Sequence, residues 1–247
     1  METRLARRAM LGLVGGGAAL LFAGCGLVTN YRPFRFRATV EVETPKGLRT
    51  GSSVIEVEAG EVGTTLGGGS AEARGEAIAV DIAPGQTMFV LLDGDDPYDW
   101  ALGVMFGVTP TSDDQSIPGN DRFRARLEAV RANKKLNAVP RWFPPSLPAR
   151  EPISGYPTMV RFRDISDPTT VEEVDPDNLA ASFGSGIKLR RITVQLTDDP
   201  ITTGIVKRLP WLPNQKLGLV PHSINVPIAD WPFGARIHPM DFAKGTL

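Results

Sequence analysis

The sequence predicts a mainly β (α+β) fold, in which antiparallel hairpins form a sandwich-like domain with two or three short helices and an extended, proline-rich C-terminal tail. Apolar and polar residues alternate over residues 34–43, which is typical of a strand with one buried face. A second pair of apolar runs flanks a turn at residues 83–86. Five prolines lie between residues 213 and 247, and proline discourages long regular elements because it lacks a backbone donor.

The first hairpin is predicted from residues 34–57. Within residues 34–43 every even position is apolar, and every odd position is arginine, threonine or glutamate. Turn residues follow at Thr44–Gly47, and residues 54–57 then form a second run. We therefore expect two antiparallel neighbouring strands.

The second hairpin is predicted from residues 77–82 and 88–92, on either side of the turn Ala83-Pro84-Gly85-Gln86. The second arm is apolar at almost every position, so we expect it to be buried on both faces. The glycine-rich stretch at residues 67–70 is expected to be flexible. With these two hairpins, residues 31 to about 108 are expected to be all-β.

A run of aspartates follows the second hairpin, with four carboxylates in the seven residues Asp93–Asp99. Such a density of oxygen ligands suits calcium, but the run lacks the sixth-position glycine and the distal glutamate of an EF-hand loop. Aspartates also end strands by bonding to nearby backbone groups. The sequence favours this second interpretation, so no metal site is predicted.

A helix is predicted to begin at Asn120 or Asp121, because Phe123, Leu127 and Val130 then form one apolar stripe. Four prolines follow between residues 140 and 148. This segment is either an ordered crossing over the surface or a hinge, which would divide the domain near residues 140–150.

The second half predicts a strand at residues 158–162, a short helix at residues 175–184 and a second helix at residues 199–209. Between the two helices, two alternating apolar sets are out of phase by one residue across Arg190-Arg191. A β-bulge at this pair would bring both sets to the same face of the sheet.

The first 24 residues have the pattern of an export signal, with arginines near the start followed by an uncharged apolar stretch. That stretch is shorter than the roughly 20 residues of a spanning helix. Small residues precede Cys25, the only cysteine. The segment resembles a bacterial lipoprotein signal peptide with its lipobox, with Phe22 where that motif usually has leucine. The resemblance implies cleavage before Cys25, lipid (palmitate among it) on its thiol and new amino group, and a membrane-anchored mature protein.

The predicted division is a signal peptide at residues 1–24, a lipid-anchored linker at 25–33 and one globular domain at 34–247. The arginine pair Arg7-Arg8 leaves the export route open between the general secretory and twin-arginine pathways. Both routes lead out of the cytoplasm. In a Gram-negative bacterium, Gly26 after the lipidated cysteine would imply the periplasmic side of the outer membrane.

The composition limits the function classes. Without residues 1–24 the chain has 223 residues, 24 basic and 27 acidic, and a formal net charge of −3. Because nucleic-acid-binding surfaces are basic, this balance argues against a nucleic-acid partner. A single cysteine excludes an internal disulfide and cysteine-cluster metal sites. No cofactor is predicted.

The block from Asp167 to Leu212 contains Leu179-Ala180-Ala181, Thr197-Asp198-Asp199-Pro200 and Arg208-Leu209-Pro210-Trp211-Leu212. It resembles a block in a family of uncharacterised bacterial proteins of unknown function. The resemblance implies no known activity, so no functional residue is derived from it.

Catalytic residues remain unknown from the sequence. His222 and His238 are the only histidines, so a hydrolase working near neutral pH would have to use one of them with a nearby carboxylate. The chain has no Gly-x-Ser-x-Gly elbow, no His-Glu-x-x-His pair and no phosphate loop. The sequence therefore favours a role other than catalysis.

Trp142, Trp211 and Trp231 each lie within two residues of a proline, a combination that forms flat, rigid surfaces. Such surfaces stack on sugars or on an extended segment of a partner. The alternative is that these rings attach irregular segments to the core.

The charges near the anchor suggest a second contact. Arg32, Arg35 and Arg37 follow Cys25 within 12 residues, close enough to reach anionic headgroups. The expected function is that of an envelope lipoprotein which binds or scaffolds a protein or glycan at a membrane surface. The alternative is a lipid-anchored periplasmic hydrolase.

Overall fold

The computed structural model describes residues 28–62, 69–92, 100–111, 119–144, 152–223 and 225–247. The predicted signal peptide at residues 1–24, the predicted lipid site Cys25 and the run Asp93–Asp99 lie outside the described residues. The strands within these ranges are β1 (Val28–Asn30), β2 (Phe34–Thr44), β3 (Gly47–Val62), β4 (Gly69–Glu76), β5 (Ile78–Ala83), β6 (Gln86–Val90), β7 (Asn137–Ala138), β8 (Trp142–Phe143), β9 (Ile153–Ser154), β10 (Met159–Phe162), β11 (Val171–Glu173), β12 (Lys188–Leu196) and β13 (Ala243–Lys244). The α-helices are α1 (Trp100–Val108), α2 (Gly119–Ala132), α3 (Leu179–Phe183) and α4 (Pro239–Phe242).

The strands form two main antiparallel sheets. The large sheet has the order β13-β4-β3-β2-β12-β7, and β1 pairs with the end of β3. The second sheet has the order β11-β10-β6-β5, and β8 and β9 form a separate hairpin. This architecture confirms the predicted mainly β fold. None of the described helices is long and apolar enough to span a bilayer.

The second sheet separates two hydrophobic clusters. The larger cluster lies between one face of the second sheet and the inner face of the large sheet, and it includes residues of α1, α2 and α3. The smaller cluster lies between the other face of the second sheet and the C-terminal tail. Strand β6 and the residue after it show the division, since Met88 and Val90 belong to the larger cluster and Phe89 and Leu91 to the smaller. The prediction that residues 88–92 are buried on both faces is therefore confirmed.

Both predicted hairpins are present. Strand β2 alternates between buried and partly exposed residues and pairs with β3 through the turn at residues 45–46. Gly47 completes this turn with a φ of +105°, a backbone angle that residues other than glycine rarely adopt. Strands β5 and β6 form the second hairpin. Strand β12 pairs with β2, so the large sheet contains residues from both sides of the proline-rich run.

The predicted bulge is also present in β12. The pairing of β12 with β2 shifts register between Leu189 and Arg191. Ile187, Ile192 and Val194, from both sides of the shift, are buried in the same cluster. The extra residue therefore keeps both apolar sets on the inner face.

The expectation that residues 31–108 are all-β is wrong at its end, because residues 100–108 form helix α1. This segment is apolar on every side, so its sequence has no period that distinguishes a helix from a buried strand. Gly107 lets the helix lie against Phe143, whose ring would be 2.4 Å from a Cβ at this position. Gly69 and Ser70, expected in a flexible stretch, begin β4, while residues 67 and 68 lie outside the described ranges.

The predicted helix at residues 199–209 is wrong. The carboxylate of Asp199 accepts hydrogen bonds from Thr197 and Arg37 instead of capping a helix. Thr202 then pairs its backbone N–H with the carbonyl of Val54. Only a 3-10 turn, Ile205–Lys207, follows.

The predicted helix at residues 175–184 is shorter than expected. Helix α3 begins at Leu179, because the Asp175 carboxylate accepts from the N–H of Asp177 in a local turn. Gly184 ends the helix with a φ of +106°, as its position in the sequence predicts.

The proline-rich tail packs against the second sheet. It contains three short 3-10 turns, Leu212–Asn214, Ile228–Asp230 and Phe233–Ala235, before α4 and β13. Leu212, Leu219 and Phe242 are almost completely buried in the smaller cluster. The prediction that the tail belongs to the folded body is confirmed.

Candidate functional site

The three tryptophans predicted as binding residues differ in exposure and contacts. Trp211 packs edge-on against Phe162 at 5.5 Å and donates its indole N–H to the carbonyl of Ile165. Trp231 lies against the ring of His222 and donates to the carbonyl of Val226. The ring of Trp211 therefore connects its segment to the second sheet, whereas the ring contacts of Trp231 lie within the tail itself.

Trp142 is different, because 54% of its surface is exposed. It lies on β8 opposite Ser154 of β9. The next residue, Phe143, packs against the larger cluster near Gly107 of α1. Successive side chains of a strand point to opposite faces, so burial of Phe143 directs the indole of Trp142 outward.

The guanidinium of Arg141 lies beside this indole. Its Cζ is 4.2 Å from the centroid of the Trp142 ring and 5.4 Å from that of Tyr156. Its Nε donates to the carboxylate of Asp177 at 3.0 Å, and its Nη1 donates to Ser154 Oγ at 2.6 Å. We call Arg141, Trp142, Ser154, Tyr156 and Asp177 the indole-guanidinium platform.

The backbone beneath the platform is held at several points. The N–H of Gly155 donates to the carbonyl of Arg141, and the buried indole of Trp100 donates to the carbonyl of Gly155 at 3.0 Å. A Cβ at Gly155 would lie 2.1 Å from the carbonyl oxygen of Pro140, so only glycine fits this approach. The platform is therefore preorganised, which lowers the entropic cost of binding.

The chemistry of the platform combines a flat apolar face with polar groups at its edge. Burial raises the pKa of Tyr156; Arg141 opposes this rise and Asp177 adds to it. The phenol therefore keeps its proton at neutral pH and can donate a hydrogen bond. The hydroxyl of Ser154 is already bonded to Arg141 and to the backbone of Tyr156. An exposed indole, a fixed guanidinium and the Tyr156 hydroxyl suit a ligand with an apolar face and several hydroxyl or carbonyl groups.

The histidines occupy other parts of the tail. The ring of His222 stacks on Trp231, with the ring centroids 3.6 Å apart. The backbone N–H of His238 donates to the Asp241 carboxylate at the start of α4. No cluster of three or more metal-binding side chains occurs among the described residues.

A shallow depression on β5 and β6 is lined by Arg49, Asp81, Ala83, Pro84, Gly85 and Thr87. Neither histidine lines it. Both carboxylate oxygens of Asp81 accept from Arg208, at 2.7 and 2.9 Å, and this partner lowers the pKa of Asp81. This ion pair connects β5 to the tail, which is a structural role.

The arginines after the predicted anchor also differ from one another. Arg35 pairs with Glu56 at 2.7 Å, and Arg37 pairs with Asp199 at 2.7 Å. Both are thus neutralised on the outer face of the large sheet. The side chain of Arg32 is exposed and makes no ion pair with the described residues.

Four of the five platform residues, Arg141, Ser154, Tyr156 and Asp177, were not identified from the sequence. Tyr156 and Asp177 lie 15 and 36 residues after Arg141, and no spacing rule connects positions that far apart in irregular segments. The only signal was the position of Arg141 directly before the predicted Trp142. Comparisons with family models, curated proteins and solved structures found no match, so the interpretation of this site depends on its geometry.

Proposed function

We propose that this protein is an exported lipoprotein, held at the cell-envelope membrane by lipid on Cys25, and that it binds a partner through the indole-guanidinium platform. The basic head, apolar stretch and small residues before Cys25 support the anchor. The exposed, preorganised platform supports the binding role.

The single observation that carries the binding role is the exposure of Trp142 beside a fixed arginine. A large aromatic ring that is 54% exposed leaves much apolar surface in water. The neighbouring Phe143, by contrast, is partly buried against the larger cluster. Exposed aromatics and arginines are enriched where proteins bind partners, so this indole is the best candidate contact.

An envelope glycan suits the platform best. The C–H face of a sugar ring is apolar and can stack on the indole, while its hydroxyls can bond to the guanidinium of Arg141 and to the hydroxyl of Tyr156. The open surface also suits a polymer, because a long chain can cross it in either direction. A protein partner that presents an extended segment is the alternative.

The binding role is tested by cosedimentation with purified peptidoglycan sacculi. Trp142→Ala should weaken binding about tenfold, the size of effect that follows removal of a central aromatic contact, whereas Trp142→Phe should retain part of it. Leu217→Ala is the matched control, since Leu217 is an apolar side chain that is 73% exposed in the tail. Equal binding by wild type and Trp142→Ala would overturn the role of the platform in glycan binding.

The protein alternative has its own test. A photo-crosslinking amino acid at position 142 should then capture a membrane protein, and the same amino acid at position 217 should not.

The anchor is tested separately by Cys25→Ser, which should release the protein from membranes or leave an uncleaved precursor. An unmodified thiol in the wild-type mature chain, measured by mass spectrometry, would contradict the anchor.

The hydrolase alternative is not favoured by any observed contact. A general base needs a carboxylate that orients its imidazole and a substrate cavity beside it. The neighbour of His222 is an indole, and the hydrogen bond between His238 and Asp241 uses the backbone. The alternative therefore stays a prediction.

A further inference from the structure

The described chain begins close to the proposed anchor. Only Gly26 and Leu27 lie between Cys25 and Val28, so the two Cα atoms are at most about 11 Å apart. Val28 pairs with Val62 at the end of β3, and Tyr31 bonds to Ala59 of the same strand. This end of the large sheet is therefore the part of the fold nearest to Cys25.

Helix α2 lies at the same end. The ring of Tyr31 packs against Phe123 at 6.4 Å, and its hydroxyl donates to Glu61. Arg124 bonds to both Tyr31 and Glu61, and Arg131 donates to the backbone carbonyl of Arg32. These contacts fix α2 against the residues that follow the anchor.

The segment from α2 to the next strand is strongly basic. Residues 119–135 contain six basic and two acidic residues, a formal net charge of +4, although the mature chain as a whole is negative. Arg124 is partly neutralised by Glu61 and Asp121. Lys134 and Lys135 are exposed, and no carboxylate of the described residues lies within ion-pair distance of either.

The loop after α2 also exposes an apolar side chain. Leu136, directly after the two lysines, is 58% exposed. The loop has a defined shape, because Gln195 donates to the carbonyl of Lys134, and Asn137 donates to that of Lys135. Two lysines beside an exposed leucine suit a lipid surface, where charge meets the headgroups and the leucine reaches the acyl boundary.

We propose that this surface, formed by Arg32, Arg131, Lys134, Lys135 and Leu136 and here called the basic pole, rests on anionic phospholipid headgroups of the membrane that holds Cys25. The proposal rests on the anchor of the proposed function, since the anchor keeps the basic pole within reach of the bilayer. The basic pole adds to the anchor a defined orientation of the folded domain on the membrane. Strand β2 leads away from this end, so the turn at Lys46 lies about 34 Å from Phe34 along the strand.

The test uses the full, lipidated protein reconstituted into vesicles of phosphatidylcholine alone or of phosphatidylcholine and phosphatidylglycerol in equal amounts. A fluorophore is attached at Ala132→Cys, beside the basic pole, or at Lys46→Cys, at the far turn. Energy transfer to a headgroup-labelled acceptor then reports how close each position lies to the membrane. In anionic vesicles, position 132 should transfer more strongly than position 46, and added salt should reduce the difference.

Charge variants test whether the lysines of the basic pole, rather than the total charge of the protein, bring position 132 close to anionic membranes. Lys134→Gln with Lys135→Gln should reduce the effect of anionic lipid at position 132 by at least half. Lys188→Gln with Lys207→Gln removes two other exposed lysines and should leave that effect unchanged.

Two failures are distinguishable. Loss of vesicle retention, with the fluorophore found on an unmodified Cys25, would overturn the proposed anchor and this inference with it. Retention with equal transfer from both positions, or with position 46 closer to the membrane, would overturn the orientation alone.

Discussion

Glu76 shows how a single side chain connects distant parts of this chain. It lies at the end of β4 and is only 3% exposed. Its two carboxylate oxygens accept from the backbone N–H groups of Gly204 and Ile205, at 3.0 and 2.7 Å. Hydrogen bonds to a charged group are the stronger kind, so this carboxylate holds the start of the tail against the large sheet.

We predict that Glu76→Gln lowers the free energy of unfolding by about 1.5–3 kcal/mol, because an amide offers one oxygen to two donors and loses the charge. Urea unfolding measures the change. Glu58→Gln is the matched control: Glu58 is an exposed glutamate on β3, 3.8 Å from Arg74, and should change stability by less than about 1 kcal/mol. Equal effects of the two substitutions would show that the buried hydrogen bonds of Glu76 stabilise the protein no more than the exposed ion pair of Glu58 does.

Tyr156 makes the free energy of unfolding depend on pH. Burial raises its pKa, so the folded protein keeps this proton at a pH where the unfolded chain, with a tyrosine pKa of about 10, loses it. The contribution to stability is complete below about pH 10 and is lost as the pH rises through the raised pKa of the folded state. Tyr156→Phe should therefore flatten the decline of the unfolding free energy above about pH 10. Parallel declines for wild type and variant would contradict this.

The platform was only partly predictable at this scale. Trp142 stood out in the sequence because tryptophans beside prolines are visible without any knowledge of the fold. Its role depends on Arg141 and Asp177, which meet only when β8, β9 and α3 come together. The same sequence pattern at Trp211 and Trp231 belongs to partly buried rings, because Trp211 packs on Phe162 and Trp231 packs on His222.

Among the elements, β12 was predictable and α1 was not, for one physical reason. The two apolar sets of β12 reveal both its period and its phase shift, since a strand with one wet face must alternate. Helix α1 is apolar on every side although only part of it is buried, so its sequence carries no period. The predicted helix at residues 199–209 failed because Asp199 bonds to Thr197 and Arg37 in place of the helix backbone.

We predict that deleting Arg190 destabilises the protein by several kcal/mol. Without this residue, either Ile187 and Leu189 or the following alternating set that begins at Ile192 would turn to the outer face of the sheet. Each buried side chain that becomes exposed would lower the free energy of unfolding by about 1.5–3 kcal/mol. Thermal and urea unfolding measure the loss.

Arg190→Ala is the control for this deletion, because it removes the 3.5 Å ion pair with Glu41 and keeps the residue count. It should cost about 1 kcal/mol or less, because Arg190 is about half exposed and Glu41 keeps its shorter ion pair with Arg191. A deletion variant as stable as Arg190→Ala would show that the register does not depend on the bulge.

At the scale of the whole molecule, the tail is the third layer of the structure. Phe89, Phe162 and Phe242 pack together at centroid distances near 6 Å, which joins the second sheet to the last helix. The tail also pairs with the large sheet, through β13 and β4. Its prolines reduce the freedom of the unfolded chain, so less ordering entropy opposes this packing.

This layer leads to a prediction about proteolysis of the purified full chain. Thermolysin cleaves at exposed aliphatic residues, and the most accessible ones in the tail are Leu217 and Ile228, at 73% and 66% exposure. Cleavage there should nick the chain without releasing the C-terminal fragment, because Ile237, Phe242 and β13 hold it on the far side of the cut. The two fragments should elute together in native gel filtration and separate in denaturant. Release of the fragment, leaving a core with an unchanged melting temperature, would mean that the smaller cluster contributes little to stability.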